Sequence, residues 1–143
     1  MPRAPTGVNL LAVFFLFGAI MSGLAFMSLL FPGGMLETMW QLNPVARTNL
    51  GSLGPVGIAL MAAISIACAS AAYGLRTLAG WGHKLAVALL VLNLLGDAAN
   101  AIFRHDLRTL IGLPIGGFLV AYLLQAHIRA LFGWRGVDPR RHT

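Results

Sequence analysis

The sequence predicts an all-α integral membrane protein, a compact antiparallel bundle of four transmembrane helices. Three observations lead there. The chain of 143 residues is 58% hydrophobic and only 10% charged, with a mean hydropathy of +0.81, whereas soluble domains run nearer about a quarter charged. Its charges are missing over long intervals. None lies between Arg3 and Glu37, between Arg47 and Arg76, or between Arg108 and Arg129, and Asp97 stands alone between Lys84 and Arg104. Each interval holds the roughly 20 residues needed to cross a hydrocarbon core about 30 Å thick. Such crossings are helices, because isolated strands would leave backbone groups unpaired in lipid.

The first crossing is expected near residues 9–31. Its apolar run is too long for a secretion-signal core, and "SGLAFMS" offers no small-x-small cleavage site, so it reads as a retained span. Pro32, Gly33 and Gly34 stop that helix. Within the segment 33–42, Met35, Leu36, Met39 and Trp40 recur as in a short helix lying in the membrane interface. Glu37 on this segment could cap a pore or pair with Arg47, and a solvated helix face is the plainer expectation. Asn43 followed by Pro44 has the form of an N-cap with proline at the first helical position. It is expected to restart the chain toward a second crossing near 51–74. A third crossing is expected near 84–103 and a fourth near 107–127, joined by the tight hairpin "RHD" and therefore antiparallel neighbours. A basic tail, 129–143, completes a single domain 1–143 with no room for a soluble one.

Four crossings put the N-terminus, the second loop and the tail on one side. That side holds Arg3, Arg76, Lys84, Arg129, Arg135, Arg140 and Arg141, against Arg47, Arg104 and Arg108 opposite. Positive residues stay in the cytoplasm, which predicts a multi-pass protein of the cytoplasmic (inner) membrane with both termini cytoplasmic. The net charge of +6 then reflects topology and contact with the bilayer, where the tail could meet anionic lipid headgroups with Trp134 at the interface. The tail is too short and too sparsely basic for a nucleic-acid-binding arm. Cys68 is the only cysteine, so an internal disulfide and CxxC chemistry are excluded, and a small packing residue is expected there.

Small residues recur where helices could meet. The second crossing carries Ala59, Ala63, Ala67 and Ala71 at every fourth position. The first carries Gly18 with Ser22 and Ala19 with Gly23, and the fourth Gly112 with Gly116. In lipid such residues let backbones approach and dispersion supply the attraction. They predict tight packing and self-association as a homo-oligomer or as a subunit of a larger membrane complex. A faint repeat relates "RTNLGSLGPVGIAL" to "RTLIGLPIGGFL", suggesting two similar hairpins about an axis along the membrane normal.

The chemistry, if any, centres on "ALLVLNLLGDAANAIFRHD" (88–106). At about 100° per residue, Asn93, Asp97 and Asn100 fall within about 60° of one helix face, with Arg104 extending it. That face should turn away from lipid. The candidate cation partners of Asp97 are Arg104, Arg108 and Arg47. One reading is an interhelical hydrogen-bond clamp. The other is a site for a proton, cation or small polar solute, helped by helix breaks at "GLPIGG" and around Pro55. Catalysis fits poorly, because the interior offers one acid and no mid-span histidine. His83 and His127 bracket the cytoplasmic face, where a haem b between them is the one cofactor conceivable, although histidine at a membrane edge commonly just meets water and headgroups. No metal-ligand spacing occurs. The leading expectation is a non-enzymatic structural or accessory subunit, and the alternative a small channel or transporter centred on Asp97.

Overall fold

The computed structural model describes residues 4–104 and 109–133. These residues are mostly helical, with no strand among them, and three helices are long and apolar enough to cross a membrane. Helix α1 covers Thr6–Leu30 and a 3-10 helix Met35–Leu42. Helix α2 covers Pro44–Ser52, α3 Pro55–Arg76, α4 Gly80–Arg104, α5 Thr109–Leu124 and α6 Ala126–Leu131.

Two boundaries differ from the sequence expectation. Asn43 does cap a helix, its side chain accepting from the Ala46 amide at 3.0 Å with Pro44 at the first position. That helix ends at Ser52 and does not run into the second crossing. Gly54 takes φ 54° and ψ −130°, and the long helix begins at Pro55. Proline disfavours helical geometry in the residue before it, and the positive φ found there is one that glycine, lacking a Cβ, adopts without strain. The return is tight, since a Cβ on Gly57 would collide with the Leu50 carbonyl. The second difference concerns "GLPIGG", where a break is expected. Helix α5 instead runs through Pro114 from Thr109 to Leu124. Proline removes one hydrogen-bond donor there, and membrane helices tolerate that. The two prolines of the suggested repeat therefore occupy unlike positions, one opening a helix and one inside it.

Helices α1 and α3 pack along most of their length. Ser22 is buried, Gly18 faces the Cys68 thiol, and the Ser65 hydroxyl donates to the Ala19 carbonyl at 2.8 Å. On α3 the seam runs through Ser65, Cys68, Ala72 and Leu75, which share an arc of about 80° at 100° per residue. The alanine strip does not make this seam. Ala59 and Ala63 are exposed, Ala67 is half-buried, and only Ala71 is fully enclosed. An every-fourth-residue strip drifts by about 40° per step, so over twelve residues it winds about 120° around the helix and out of any straight seam.

The buried core sits at one end. Val8, Leu11, Ala12 and Phe15 of α1 meet Ala71, Ala72 and Leu75 of α3, Ala86 and Leu90 of α4, Leu123 of α5, Ile128 of α6 and Phe132. Beyond α5, Ile128 and Phe132 belong to this core, 1% and 5% exposed. On α4 no described side chain beyond Leu90 is fully buried.

The turn joining α3 to α4 sets this end. The Ala79 amide donates to the Gly74 carbonyl at 2.9 Å and the Leu78 amide to that of Leu75 at 3.2 Å, the double bond of a Schellman cap. Leu78, not glycine, holds the left-handed position at φ 53°, a strain of about 1 kcal/mol. Its side chain lies against the core, which offsets that cost. Immediately beyond, Gly74 and Gly82 touch backbone to backbone. A Cβ on Gly74 would stand 2.5 Å from the Gly82 Cα.

The far end is closed by the 3-10 helix. The buried Trp40 donates its indole N–H to the Ser28 hydroxyl on α1 at 2.7 Å. Of the other interfacial candidates, Met39 is half-buried, while Met35 is almost fully exposed and Leu36 partly so. Glu37 pairs with Arg47, Oε1 accepting from Nε at 2.8 Å, and the guanidinium lies 5.9 Å from the Trp40 ring centroid. The contact is thus an ion pair and not simply a solvated face. The Arg47 guanidinium, with a weaker contribution from the Gly33 amide, holds the Glu37 carboxyl below the usual carboxylate range against an opposing desolvation.

Gly74→Ala is expected to lower stability in detergent by about 1–3 kcal/mol, because backbone cannot step aside as a side chain can. Gly117→Ala, with open space at its Cβ, is the control and should leave the thermal midpoint unchanged. For the cap, a carboxyl whose folded pKa is depressed adds stability that is complete above the unfolded range and disappears as pH falls through the folded value. In a Trp81→Phe, Trp134→Phe background, Trp40 emission should stay constant at neutral pH and shift red on acidification below the usual carboxylate range. Glu37→Gln should show the red-shifted emission already at pH 7, with no such acid transition.

Candidate functional site

Between α1, α3 and α4 lies a cleft of about 700 Å³. Phe14, Phe15 and Gly18 form its α1 wall and Leu60, Ile64 and Cys68 its α3 wall. The α4 wall carries Leu89, Leu90, Leu92, Asn93, Gly96 and Asp97. It exists because the packed core stops near Leu90: above that level α4 no longer buries side chains against α1 and α3.

Two of the sequence candidates meet in this cleft. Asn93 and Asp97, one turn apart on α4, are linked by a hydrogen bond from the Asn93 amide to Asp97 Oδ2 at 3.3 Å. Asn93 is exposed and Asp97 half-buried. Both residues line the recess shared by α1, α3 and α4.

Gly112, chosen from the sequence as a packing residue, has a direct bearing on the acid. A Cβ there would stand 2.7 Å from Asp97 Oδ2, and one on Gly116 would stand 2.9 Å from Leu94 Cδ1. Only an unsubstituted α5 backbone leaves the carboxylate its place between α4 and α5. Gly18 likewise joins the site, its Cα facing Cys68 across the floor of the cleft.

The cations distribute differently. Arg47 is engaged by Glu37 and Trp40 beside the 3-10 helix and is not brought to Asp97. Asn100 and Arg104 continue the α4 face in sequence, but their side chains, and Arg108 altogether, lie outside the described residues. Ser22 and Ala71 are buried at α1–α3, while Ala59 and Ala63 point outward, away from the cleft.

At the opposite end His83 is buried. A carbonyl can only accept, so the ring Nε2–H donates to Leu123 O at 2.8 Å, and the ring packs 4.8 Å from that of Phe132. The acceptor is available because the backbone turns at Gln125, φ −59° and ψ 138°, which ends α5 and frees its last carbonyls. His127 is exposed on the short α6. Nε2 of His83 thus serves the fold, and the histidine signal in the sequence gives a helix-end clamp as its structural role. Among the described residues no group of three or more His, Cys, Asp or Glu is placed to hold a metal ion.

The aromatic and aliphatic walls were missed from sequence. Phe14, Leu60 and Ile64 look like any lipid-facing residue, and nothing in their spacing marks a cleft. Gly96, directly before Asp97, was the available signal, since a missing side chain beside a lone acid leaves room there.

The chain matches no protein family, no curated protein and no solved structure.

The geometry predicts a measurable coupling. Gly112→Ala should lower the thermal midpoint in detergent through its clash with the carboxylate. Asp97→Ala removes the obstructing oxygen, so the double variant should be more stable than the sum of the single effects by about 0.5–3 kcal/mol. Strict additivity would mean that Asp97 does not rest on the α5 backbone.

Proposed function

We propose that the chain is a non-enzymatic accessory protein of four crossings with both termini cytoplasmic, whose lateral cleft receives a helix of a membrane partner. The observation that carries this reading is the cleft's sideways opening. Its rim residues Phe14 and Leu92 are 50% and 65% exposed, so the recess faces the surrounding lipid as well as the bundle. A groove with apolar walls and one amide–carboxylate pair suits a transmembrane helix carrying a single basic residue at that depth. The partner's ridge would fill the apolar space and its cation would find Asp97, which lipid cannot satisfy. The fourth crossing is supplied by α5. Its 16 residues span about 24 Å at 1.5 Å per residue, somewhat less than a full hydrocarbon core, and a shortfall of that size is met by local thinning or by flanking residues. The positive residues of the α3–α4 turn and of α6 support the orientation.

A second reading, transport of a proton, cation or small polar solute, draws on the same pair being partly exposed. The two differ in what Asp97→Asn does. Bilayer association of an apolar transmembrane peptide with one central lysine, followed by energy transfer, should exceed that of its all-leucine counterpart about three- to tenfold. The preference should vanish in Asp97→Asn while the fold remains intact. Equal association of both peptides would overturn the docking reading. A proton or cation flux in reconstituted vesicles that Asp97→Asn abolishes would establish transport in its place.

A further inference from the structure

The side of the α1–α3 pair opposite the Asp97 cleft carries a groove of about 410 Å³ that shares no lining residue with that cleft. Each helix contributes a stripe at i, i+3, i+4 and i+7, Asn9, Ala12, Val13 and Leu16 from α1 and Ala69, Ala72, Tyr73 and Arg76 from α3. The buried Ala12 and Ala72 form its floor, and the exposed Val13 and Leu16 rise beside it toward lipid. The two helices are antiparallel, so the first turn of α1, with Asn9, and the last turn of α3, with Arg76, come to one end. That end is the polar mouth. From Arg76 to Ala69 the groove runs about 10 Å at 1.5 Å per residue. The carbonyls beside Arg76 are met by the turn that follows α3. Tyr73 O accepts from the Thr77 amide and hydroxyl, both at 3.0 Å, and Gly74 O from the Ala79 amide at 2.9 Å. Among the described residues neither acid, Glu37 nor Asp97, lines the groove, so no carboxylate there neutralises the exposed Arg76 guanidinium.

We infer that this groove holds one anionic phospholipid, its phosphate at the Arg76 guanidinium and the Tyr73 hydroxyl and the upper part of one acyl chain along Ala69, Val13 and Leu16. Charge and shape carry the assignment together. Basic pockets between membrane helices hold anionic headgroups, and a guanidinium offers a phosphate two parallel N–H bonds. Tyrosine places its ring in the apolar region and its hydroxyl at headgroup level. Asn9 is held at the mouth by donating to the Ala4 carbonyl at 3.2 Å, and its amide has a second N–H to offer. A zwitterionic lipid brings the same phosphate together with a cation, for which the groove has no acid. A free phosphate would gain only the mouth and nothing from the apolar length beyond it. The site is independent of what the Asp97 cleft receives.

The test uses the full chain in neutral detergent, with retained lipid counted by native mass spectrometry after addition of phosphatidylglycerol or phosphatidylcholine. One phosphatidylglycerol per chain should be retained in preference to phosphatidylcholine. Arg76→Gln should weaken its retention about fivefold, the loss expected for one basic residue near a membrane surface, while Arg76→Lys, which keeps the charge, should hold the lipid. Tyr73→Phe removes only the hydroxyl and should weaken retention about two- to tenfold. Ala69→Trp should fill the groove and release the lipid with Arg76 still present, which a site for phosphate alone would not do. Lys84→Gln removes a cation from the same end, on α4 and outside the groove, and should change nothing. Equal retention of the two lipids, undiminished retention in Ala69→Trp, or as large a loss from Lys84→Gln as from Arg76→Gln would overturn the site. Thermal midpoints in neutral detergent that match the parent protein show that a loss reflects binding and not unfolding.

Discussion

The contact on which the rest of the structure depends is the backbone approach of Gly74 to Gly82. In lipid, helices gain little from hiding apolar side chains from one another, and close packing supplies the attraction instead. Placing both glycines four residues from Leu78 lets α3 and α4 touch directly beyond their turn. The core of α1, α3, α4, α5 and α6 then gathers around that point. Drawing the helices together at one end leaves α4 apart from α1 and α3 at the other, and the Asp97 cleft is the result.

The lone acid is accommodated by omission as much as by partners. It accepts one hydrogen bond from Asn93 and rests where Gly112 has no side chain. The break at Gln125 does comparable work at the other end. It frees the Leu123 carbonyl for His83, seats Phe132 on the imidazole, and turns Arg129 toward Lys84. One irregular backbone position thereby ties a buried polar residue to the fold.

The 3-10 helix caps the far end as a separate small system, held by the Trp40–Ser28 hydrogen bond and the Glu37–Arg47 pair. It engages Arg47 with Glu37 and Trp40.

Much of this was legible in the residues. Charge-free intervals and hydropathy alone determined that the chain is helical and membrane-bound, because a bilayer accepts few other backbones. The Asn43 cap and the spacing of Asn93 and Asp97 on one face follow from local geometry that neighbouring residues dictate. Contacts between distant segments did not follow. The alanine strip looked like a seam, yet helical drift turned Ala59 and Ala63 outward, and Ser65 with Cys68 took their place. Pro114 looked like a break and is carried inside α5, while Arg47 looked available to Asp97 and belongs to Glu37. Whether a residue faces lipid, a neighbour or a cleft depends on where helices far apart in sequence come to rest, and only the tertiary structure decides that.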